Sequence, residues 1–366
     1  MKLLHVAPID GRLGSGLSYS IPALLNAQQK AGALVKMLAS GLDPEPITNA
    51  DYPIIWKINL GDNDTLDLNE LVAWADIVIF HSTYIPFHWK VARIAKRHRV
   101  PMVITPRGGM NVCAGRIKPL KKFFGNHLFF NFIVSSCSAV HYLTKNEAAG
   151  SQHWKRPFFV VPNGVSAIST NERAECCSRT VNMVFIGRVS IVHKGLDLLM
   201  EAIRLLQERP ELPEFIVNIY GPGISKDLRI LRELIERKNL HACVKISSPV
   251  YGEEKDRILK NADVFLLTSR FEGHPMAVLE ALSYGVPCVV STGTNMSDEI
   301  EEAKAGWKCG VDADSISLAI TNALLARKEY SHYRRAALDL AKSYSWDNIA
   351  PKTLQQYKLV VDKYAL

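Results

Sequence analysis

Two glutamates stand eight residues apart where a buried strand gives way to a helix. The segment TSRFEGHPMAVLEALSYGVPCVVS, residues 268–291, has Glu272 in the loop and Glu280 within the helix. Pro275 suits the first helical position, where a missing N–H costs nothing, and the N–H groups after it favour an anion. Because Cα–Cβ bonds lean toward a helix N-terminus, Glu280 is directed at the same loop. The pair predicts an anionic ligand that carries hydroxyls, although Glu272 alone would also complement the helix dipole by about 0.3–1 kcal/mol.

A pair of cations lies near a second glycine turn. In FIGRVSIVHKG, residues 185–195, a predicted strand ends before Arg188, and Lys194 precedes the next helix. Arginine offers a planar fork of donors and lysine a compact charge, so together they could clamp a diphosphate. Taken singly, each is better explained as a solvated surface charge.

Glycines also follow the first predicted strand. Backbone N–H groups in such a loop can approach a phosphate closely, which makes a third candidate phosphate contact of Gly14, Ser15 and Gly16. A dinucleotide fingerprint would need a further glycine where Tyr19 stands. The loop therefore indicates phosphate binding without indicating a dinucleotide.

The elements that must position these residues follow an α/β pattern. Short apolar runs alternate with amphipathic segments, as in parallel βαβ units. In the first half, strands are predicted at Leu3–Ala7, Leu34–Leu38, Ile77–His81, Met102–Thr105, Ala139–Leu143 and Phe158–Val161. In the second half, they are predicted at Val184–Ile186, Phe215–Tyr220, Val244–Ser247, Val264–Thr268 and Pro287–Ser291, with helices at Gly195–Gln207, Lys226–Lys238 and Met276–Ser283.

The 366 residues exceed what one hydrophobic core usually organises, which predicts two domains. The polar stretch Ser169–Arg179 separates the two halves of the pattern. We therefore predict an N-terminal domain over 1–167 and a second domain over 168–346. An amphipathic helix over 347–366 is predicted to return to the first domain.

Charge and cysteine usage narrow the function classes. The net charge is +8, and residues 77–146 contain eleven Lys or Arg and no Asp or Glu, which favours an anionic partner. Seven scattered cysteines without a CxxC pair indicate neither a zinc ribbon nor a disulfide framework and suit a reducing cytosol. No apolar run reaches the roughly 18 residues of a membrane span. A cytoplasmic protein is expected.

Four motifs in order carry a resemblance. They are the PNGV at 162–165, the GR-x5-KG at 187–195, the IYGPG at 219–223 and the EG-x-P-x4-EA at 272–281. Together they resemble the retaining family 4 glycosyltransferases of bacterial polysaccharide and lipopolysaccharide assembly. The resemblance implies the GT-B fold, in which two Rossmann-like domains face each other across a cleft. It also implies a sugar donor on the second domain and an acceptor on the first.

The resemblance implies a role for each matching residue. Arg188 and Lys194 would hold the donor's diphosphate and stabilise the charge on the leaving group. Glu280 would accept hydrogen bonds from the ribose, and Gly14 to Gly16 would close over the diphosphate. Glu272 would face the hydroxyls of the transferred sugar, near the backbone amides of Gly273, His274, Pro275 and Met276.

The sequence departs from the family pattern in the first domain. Many relatives have a histidine near the reacting sugar, whereas the corresponding segment TPRGGM offers Arg107, which can act only electrostatically. His81, at the end of a predicted strand, is a second acceptor-side candidate or simply a satisfied strand-end residue. The spacing from Arg188 to Lys194 is one residue longer than the commonest form.

Metal and cofactor are not expected. Asp312-Ala313-Asp314 resembles a metal-binding DxD, but it precedes a helical segment and is interpreted as an N-cap. The resemblance implies that Arg and Lys replace the metal. The nucleotide sugar is then a co-substrate and no further cofactor is needed.

The acceptor side is indicated by RIKPLKKFFGNHLFFNFIV, residues 116–134, where basic residues precede five phenylalanines. This composition suits an anionic membrane surface, and a core helix with a solvated basic end explains it equally well. The first alternative favours a lipid-linked acceptor and peripheral attachment to the inner face of the plasma membrane.

The predicted reaction is transfer of a hexose from a UDP- or GDP-sugar to a hydroxyl of a glycan or lipid-linked glycan. Glu272, Arg188, Lys194 and Arg107 are the predicted catalytic residues. The rivals are a sugar-nucleotide epimerase or hydrolase of the same fold, a basic nucleic-acid-binding protein and a non-catalytic relative. No nucleic-acid-binding motif accompanies the basic region, so nucleic acid is not a predicted partner.

Overall fold

The chain divides into two compact units. The computed structural model describes residues 1–9, 16–41, 50–57, 64–110, 129–166 and 180–365. The first unit comprises Met1–Gly164 and Trp346–Leu366, and the second comprises Val165–Ser345. The predicted boundary at 167/168 and the predicted junction Ser169–Arg179 lie outside the described residues.

The first unit contains a parallel sheet with the strand order β3-β2-β1-β4-β5-β6-β7. Its strands are Lys2–Ala7 (β1), Leu34–Ala39 (β2), Ile54–Trp56 (β3), Ile77–His81 (β4), Met102–Thr105 (β5), Ala139–Tyr142 (β6) and Phe158–Val160 (β7). The described helices between them are Gly16–Lys30 (α1), Asp64–Trp74 (α2), Pro86–Arg97 (α3), Asn131–Ser136 (α4) and Lys145–Ala149 (α5).

Alternation along the central strand β4 divides the core of this unit into two clusters. Successive side chains of a strand point to opposite faces, and every residue of β4 is buried. Val78 and Phe80 belong to one cluster, whereas Ile77 and Ile79 belong to the other. Burial on both faces explains why the strand sequence is continuously apolar, as is usual in parallel sheets.

The second unit contains a parallel sheet with the strand order β10-β9-β8-β11-β12-β13. Its strands are Val181–Ile186 (β8), Phe215–Tyr220 (β9), Val244–Ser247 (β10), Val264–Leu267 (β11), Cys288–Ser291 (β12) and Gly306–Cys309 (β13). The described helices are Ile191–Lys194 (α6), Leu196–Gln207 (α7), Ser225–Arg237 (α8), Gly252–Asn261 (α9), Met276–Ser283 (α10), Ser297–Glu302 (α11), Ala313–Leu325 (α12) and Tyr330–Ser343 (α13).

A final helix, Trp346–Tyr364 (α14), belongs to the first unit. Its buried residues Trp346, Ile349, Ala350, Thr353 and Tyr357 follow helical spacing and therefore form one face. That face packs into the core cluster that contains Ile77 and Ile79. The predicted return of the last helix to the first domain is confirmed.

Each sheet reverses its strand order once. The first does so between β1 and β4, and the second between β8 and β11. In open parallel sheets, ligands bind outside the carboxyl ends of the strands at such a switch point. The loops that follow β8 and β11 are therefore the expected ligand-binding loops of the second sheet.

Most predicted strands are confirmed, four of them with the predicted bounds, although β8 begins three residues earlier than predicted, at Val181. Two strands were not predicted, β3 and β13. Both lie at sheet edges. β3 is apolar but has only three residues, too few to show a pattern, and β13 lacks a continuous apolar run because it contains Gly306 and Lys308.

The described part of the predicted membrane-contacting stretch 116–134 is largely core. Residues 116–128 lie outside the described residues. Phe130, Ile133 and Val134 are buried in the first unit, which leaves them unable to contact a membrane. Phe132 is half-buried, and Lys96 lies over its ring. The core-helix alternative is therefore correct for Phe130 and for α4.

Candidate functional site

Lys194 and Glu272 meet at the switch point of the second sheet. Lys194 ends α6 in the loop after β8, and Glu272 lies in the loop after β11. Lys194 Nζ lies 2.6 Å from Glu272 Oε1, and both side chains are largely buried. Ser269 Oγ donates to the same carboxylate oxygen at 2.8 Å. Burial opposes ionisation of Glu272, but the Lys194 ammonium and His193 outweigh it and hold its pKa below the ordinary value.

A half-buried clamp fixes the relative position of the two loops. The guanidinium of Arg270 donates to both carboxylate oxygens of Asp197, each at 2.7 Å, and to Val192 O at 2.8 Å. The backbone N–H of Arg270 donates to His193 O at 2.9 Å. Since Arg270 precedes Glu272 by two residues and Val192 and His193 precede Lys194, the clamp sets the register between Lys194 and Glu272.

Gly195 allows the close approach of these loops. Its φ is +63°, and a Cβ there would lie 2.1 Å from Thr268 O. Thr268 Oγ1 donates to Lys194 O at 3.2 Å across the same contact. A larger residue at this position would push the Lys194 loop away from β11.

The backbone of Glu272 is held from a third loop. Asn295 Nδ2 donates to Glu272 O at 2.6 Å and to Gly273 O at 3.2 Å. Asn295 itself has a positive φ of 59°, a conformation that Asn tolerates better than most residues. Loops after β11 and β12 therefore both contribute to the position of Glu272.

Helix α10 has its predicted bounds, Met276–Ser283, and Pro275 lies one residue before the first helical position that was predicted for it. Met276 is the first helical residue, and Pro275 is the N-cap, with extended backbone and no capping side-chain hydrogen bond. Pro275 O accepts a hydrogen bond from Val278 N, so its carbonyl takes part in the first turn of the helix. His274 is buried, and its ring lies 5.5 Å from that of Tyr344.

Glu280 is directed at a different cation from the one that contacts Glu272. Lys255 Nζ lies 2.9 Å from Glu280 Oε1, and Lys255 belongs to α9. Burial raises the pKa of Glu280, and the neighbouring Lys255 only partly offsets this. Glu272, in the loop, and Glu280, in the helix that follows it, therefore belong to separate ion pairs.

Arg188 is connected to the pair through a residue that was not predicted. Arg188 is exposed, and its Nη2 lies 3.4 Å from His193 Nδ1. His193 Nε2 in turn lies 4.0 Å from Glu272 Oε1, and its ring lies 4.3 Å from that of Phe271. Burial lowers the pKa of His193, with Glu272 opposing the shift. The position of His193 directly before Lys194 was the available signal.

In the first unit, Arg107 lies in the loop after β5 and donates to three acceptors. Arg107 Nη1 lies 2.9 Å from Ser20 Oγ and 3.2 Å from Asn163 Oδ1, and Nη2 lies 3.4 Å from His81 Nδ1. Asn163 belongs to the PNGV motif. Ser20 Oγ also donates to Gly16 O at 2.7 Å, which connects Arg107 to the start of α1. Gly14 and Ser15 lie outside the described residues.

Comparison with known proteins identifies the second unit. Residues 179–339 match the family described as glycosyl transferases group 1. The second unit is a group 1 glycosyltransferase domain. The resemblance predicted from the four motifs is confirmed for this domain.

Two curated relatives extend the similarity. An uncharacterized glycosyltransferase of Methanocaldococcus jannaschii is 29% identical over 183 residues, which are 49% of this chain and 45% of that protein. The amylovoran biosynthesis glycosyltransferase AmsK of Erwinia amylovora is 33% identical over 120 residues, which are 31% of this chain and 28% of that protein. The chain thus spans less than half the length of either relative.

A solved structure confirms the fold. HepE of Anabaena, in complex with UDP and glucose, matches with a TM-score of 0.76 and 13% identity, covering 98% of this chain and 99% of that one. The predicted GT-B fold class is confirmed.

In the described part of the group 1 domain, the DxD-like segment at residues 312–314 does not form a metal-binding cluster. Asp312 is the N-cap of α12, and its Oδ1 accepts from Ser315 N at 2.8 Å, as interpreted from the sequence. Within the described ranges, no three His, Cys, Asp or Glu side chains cluster closely enough to hold a metal ion. Nor do the described helices include one that is long and apolar enough to span a bilayer.

Proposed function

We propose that the protein is a retaining glycosyltransferase that moves a hexose from a nucleotide diphosphate sugar to a hydroxyl. The donor would be a UDP- or GDP-sugar, and the acceptor a glycan or a lipid-linked glycan of surface polysaccharide synthesis. The observation that carries the proposal is the juxtaposition of Lys194 and Glu272 at the switch point of a group 1 domain. Two similar proteins support the proposal. AmsK is named as a glycosyltransferase of amylovoran biosynthesis, and the HepE structure contains UDP and glucose.

Lys194 and Arg188 would neutralise the diphosphate as it leaves. Lys194 is positioned by the Arg270–Asp197 clamp, so its charge needs little reorganisation during the reaction. Arg188 is exposed and has the reach of a long side chain, with His193 beside it. Because these two cations supply the positive charge, we propose that the reaction needs no metal ion.

Glu272 would accept hydrogen bonds from the hydroxyls of the transferred sugar. Its lowered pKa keeps it ionised, and its Oε1 already accepts from Lys194 and Ser269. The backbone N–H groups of Gly273, His274 and Met276 would contact sugar and phosphate, with Pro275 shaping the loop between them. Glu280 would accept from the ribose, and Gly14, Ser15 and Gly16 would contact the diphosphate.

The first unit would bind the acceptor, with Arg107 facing an anionic group of the substrates. Arg107 remains cationic at neutral pH although burial lowers its pKa to about 10. We place the reaction at the cytoplasmic face of the plasma membrane. Any membrane contact would involve residues 116–128 and the basic surface of α3 rather than the buried residues of α4.

A donor screen followed by product analysis tests the proposal. The full chain is incubated with EDTA and with UDP-glucose, UDP-galactose, UDP-N-acetylglucosamine or GDP-mannose, and its melting temperature is measured. A ligand at a hundred times its dissociation constant adds about 2.7 kcal/mol of stability. Simple sugar and lipid-linked acceptors are then added with the stabilising donor, and the product is analysed by NMR for linkage and anomeric configuration.

Transfer with retention in EDTA is the expected result. Release of free sugar without any glycoside would instead indicate a hydrolase, and interconversion of two nucleotide sugars an epimerase. Salt-sensitive binding of a generic oligonucleotide, with no donor response, would favour the nucleic-acid-binding alternative.

A further inference from the structure

A chain of buried histidines leads away from Arg107 into the core of the first unit. His81 and His5, on the neighbouring strands β4 and β1, are both fully buried. Their Nε2 and Nδ1 atoms lie 2.8 Å apart. The ring planes differ by 13°, so the hydrogen bond lies nearly in the plane of both rings.

The donors in this chain fix the tautomer of each ring. A guanidinium has no lone pair to offer, so His81 Nδ1 must accept from Arg107 and must carry no proton. His81 therefore carries its proton on Nε2 and donates to His5 Nδ1. His5 in turn carries its proton on Nε2. Among the described residues, no group meets this nitrogen in hydrogen-bond geometry, but the side chain of the fully buried Gln28 is close enough to oppose the lowering of the His5 pKa.

Burial keeps both rings neutral. It lowers the pKa of His5 to about 3 and the pKa of His81 well below the ordinary value, with the Arg107 charge acting in the same direction. If His81 were protonated, its Nδ1 would carry an N–H that points at the Arg107 guanidinium. Arg107 would then lose the acceptor that His81 provides. The network therefore supports Arg107 in a single hydrogen-bonding arrangement.

Backbone strain is concentrated around the same loop. Arg107 has a φ of 52°, and Ser82 and Tyr84, which follow β4, have φ values of 73° and 59°. A Cβ on Gly109 would lie 2.1 Å from Thr83 Oγ1, so the loops after β4 and β5 approach closely. Such conformations are unfavourable for residues other than glycine and persist where the surroundings impose them. Here they turn the Arg107 side chain toward His81, Ser20 and Asn163.

The partners of Arg107 leave its charge available to a ligand. All three are neutral acceptors, and no carboxylate of the described residues lies within ion-pair distance of it. The buried Glu147, which is nearby, accepts instead from Gly108 N and Leu143 N. A buried cation held by neutral groups retains its attraction for an anion.

We propose that His81 and His5 are positioning residues that hold Arg107 in the orientation in which it binds an anionic group of the substrate. His81 then acts through Arg107 and does not contact the acceptor itself. The proposal rests on the proposed function for the identity of the substrate. The Arg107–His81–His5 hydrogen bonds do not depend on that function.

The first test measures the tautomers directly. The protein is labelled with 15N-histidine, and the ring signals are assigned with His5→Asn and His81→Asn variants and recorded near pH 7. Neutral rings protonated on Nε2 are expected for both residues. In Arg107→Ala, His81 Nδ1 loses its donor and the signal should shift toward a mixture of tautomers. An imidazolium, or an Nδ1 proton on His81, overturns the proposal.

The second test measures coupling to catalysis. His5→Phe removes the acceptor of His81, and we expect kcat/KM to fall about 10- to 100-fold, the usual effect of a small misplacement. His5→Asn keeps an acceptor near the position of Nδ1 and should recover most of the loss. In an Arg107→Ala background, His5→Phe should cause no further loss, because the residue through which it acts is gone.

His88→Leu is the matched control for a change to a buried histidine. His88 is equally buried on α3, and its Nε2 has no hydrogen-bond partner among the described residues. The control should change stability but not kcat/KM. Additive losses in the double variant, or an equal loss in His88→Leu, would reduce the network to a structural role. If the wild-type protein transfers no sugar, the proposed function fails, and the tautomer measurement still decides the orientation of Arg107.

Discussion

Lys194 and Glu272, which are 78 residues apart in the sequence, form a largely buried ion pair of 2.6 Å. The pair joins the loops that follow the two strands at the switch point of the second sheet. In the proposed reaction the lysine serves a phosphate and the carboxylate serves a sugar hydroxyl. Because the two charges are opposite and close together, each partner reduces the net charge that the other presents to the donor.

Replacing each partner should have different effects. Lys194→Ala should weaken binding of the nucleoside diphosphate and reduce kcat/KM by about 10²–10³, the scale of losing one preorganised contact. Glu272→Gln should cause a similar loss of turnover. It should not weaken nucleoside diphosphate binding, because the Lys194 charge remains and is no longer neutralised by a carboxylate. Isothermal titration with UDP and GDP, together with initial rates, separates the two effects. Lys238→Ala, which removes an ion pair with Glu201 elsewhere on the domain, is the control.

The Arg270–Asp197 clamp gives a second prediction. Arg270→Lys keeps the charge but cannot form two parallel hydrogen bonds to Asp197 or reach Val192 O at the same time. We expect kcat to fall about 10- to 100-fold through misplacement of Lys194. A crystal structure of the variant should show a longer Lys194–Glu272 distance. Unchanged kcat in a folded variant would show that the clamp does not set the register.

Glu280 should affect donor binding more than turnover. Burial raises its pKa, so its protonation begins closer to neutral pH than for an ordinary glutamate. The donor KM of the wild-type protein should therefore increase as the pH is lowered, because a protonated Glu280 accepts less well from a ribose. Glu280→Gln should have a raised KM that changes less with pH. A variant with unchanged KM and lowered kcat would contradict the proposed ribose contact.

Buried histidines should make the first unit sensitive to acid. Burial lowers the pKa of His5 and His88 to about 3 and that of His141 to about 4. Below pH 6.5 the unfolded chain binds protons at these sites and the folded chain does not. The free energy of unfolding should therefore fall with falling pH, by about 1.4 kcal/mol per pH unit for each histidine.

Urea denaturation at pH 7.5, 6.0, 5.5 and 5.0 measures this dependence. His88→Leu removes one such group, so its free energy of unfolding should decrease with falling pH less steeply, by about 1.4 kcal/mol per unit. The comparison of slopes does not depend on the stability of the variant at neutral pH. Equal slopes would mean that His88 takes up a proton in the folded chain.

The sequence was sufficient to predict the described strands other than β3 and β13, and the family of the second unit. β4 was predicted with its bounds because its run of apolar residues is continuous and ends in His81. Lys194 and Glu272 were predicted as parts of one site through the resemblance carried by the four motifs. Their direct contact requires β8 and β11 to be neighbours, and that order is not evident from strand succession alone.

Contacts between distant residues account for what sequence analysis missed. Arg270 and Asp197 are 73 residues apart, and neither belongs to a motif that was used. Tyr357 Oη lies 3.3 Å from His141 Nδ1 across 216 residues. His81 was a candidate for direct contact with the acceptor, but it is fully buried beside His5 of β1, and this strand neighbour is not evident from the sequence.

Within each unit, the residues next to the two unit boundaries contact each other. Val165 N donates to Tyr344 O at 2.8 Å, and Gly164 has no room for a Cβ because the Trp346 ring lies 2.4 Å from that position. The second unit is continuous in sequence, whereas the first needs Tyr357 and the rest of the α14 face to fill its core. During synthesis on the ribosome, the first unit therefore stays incomplete until the second has been made. The unit that contains β1 can therefore close its core only after the second unit has emerged.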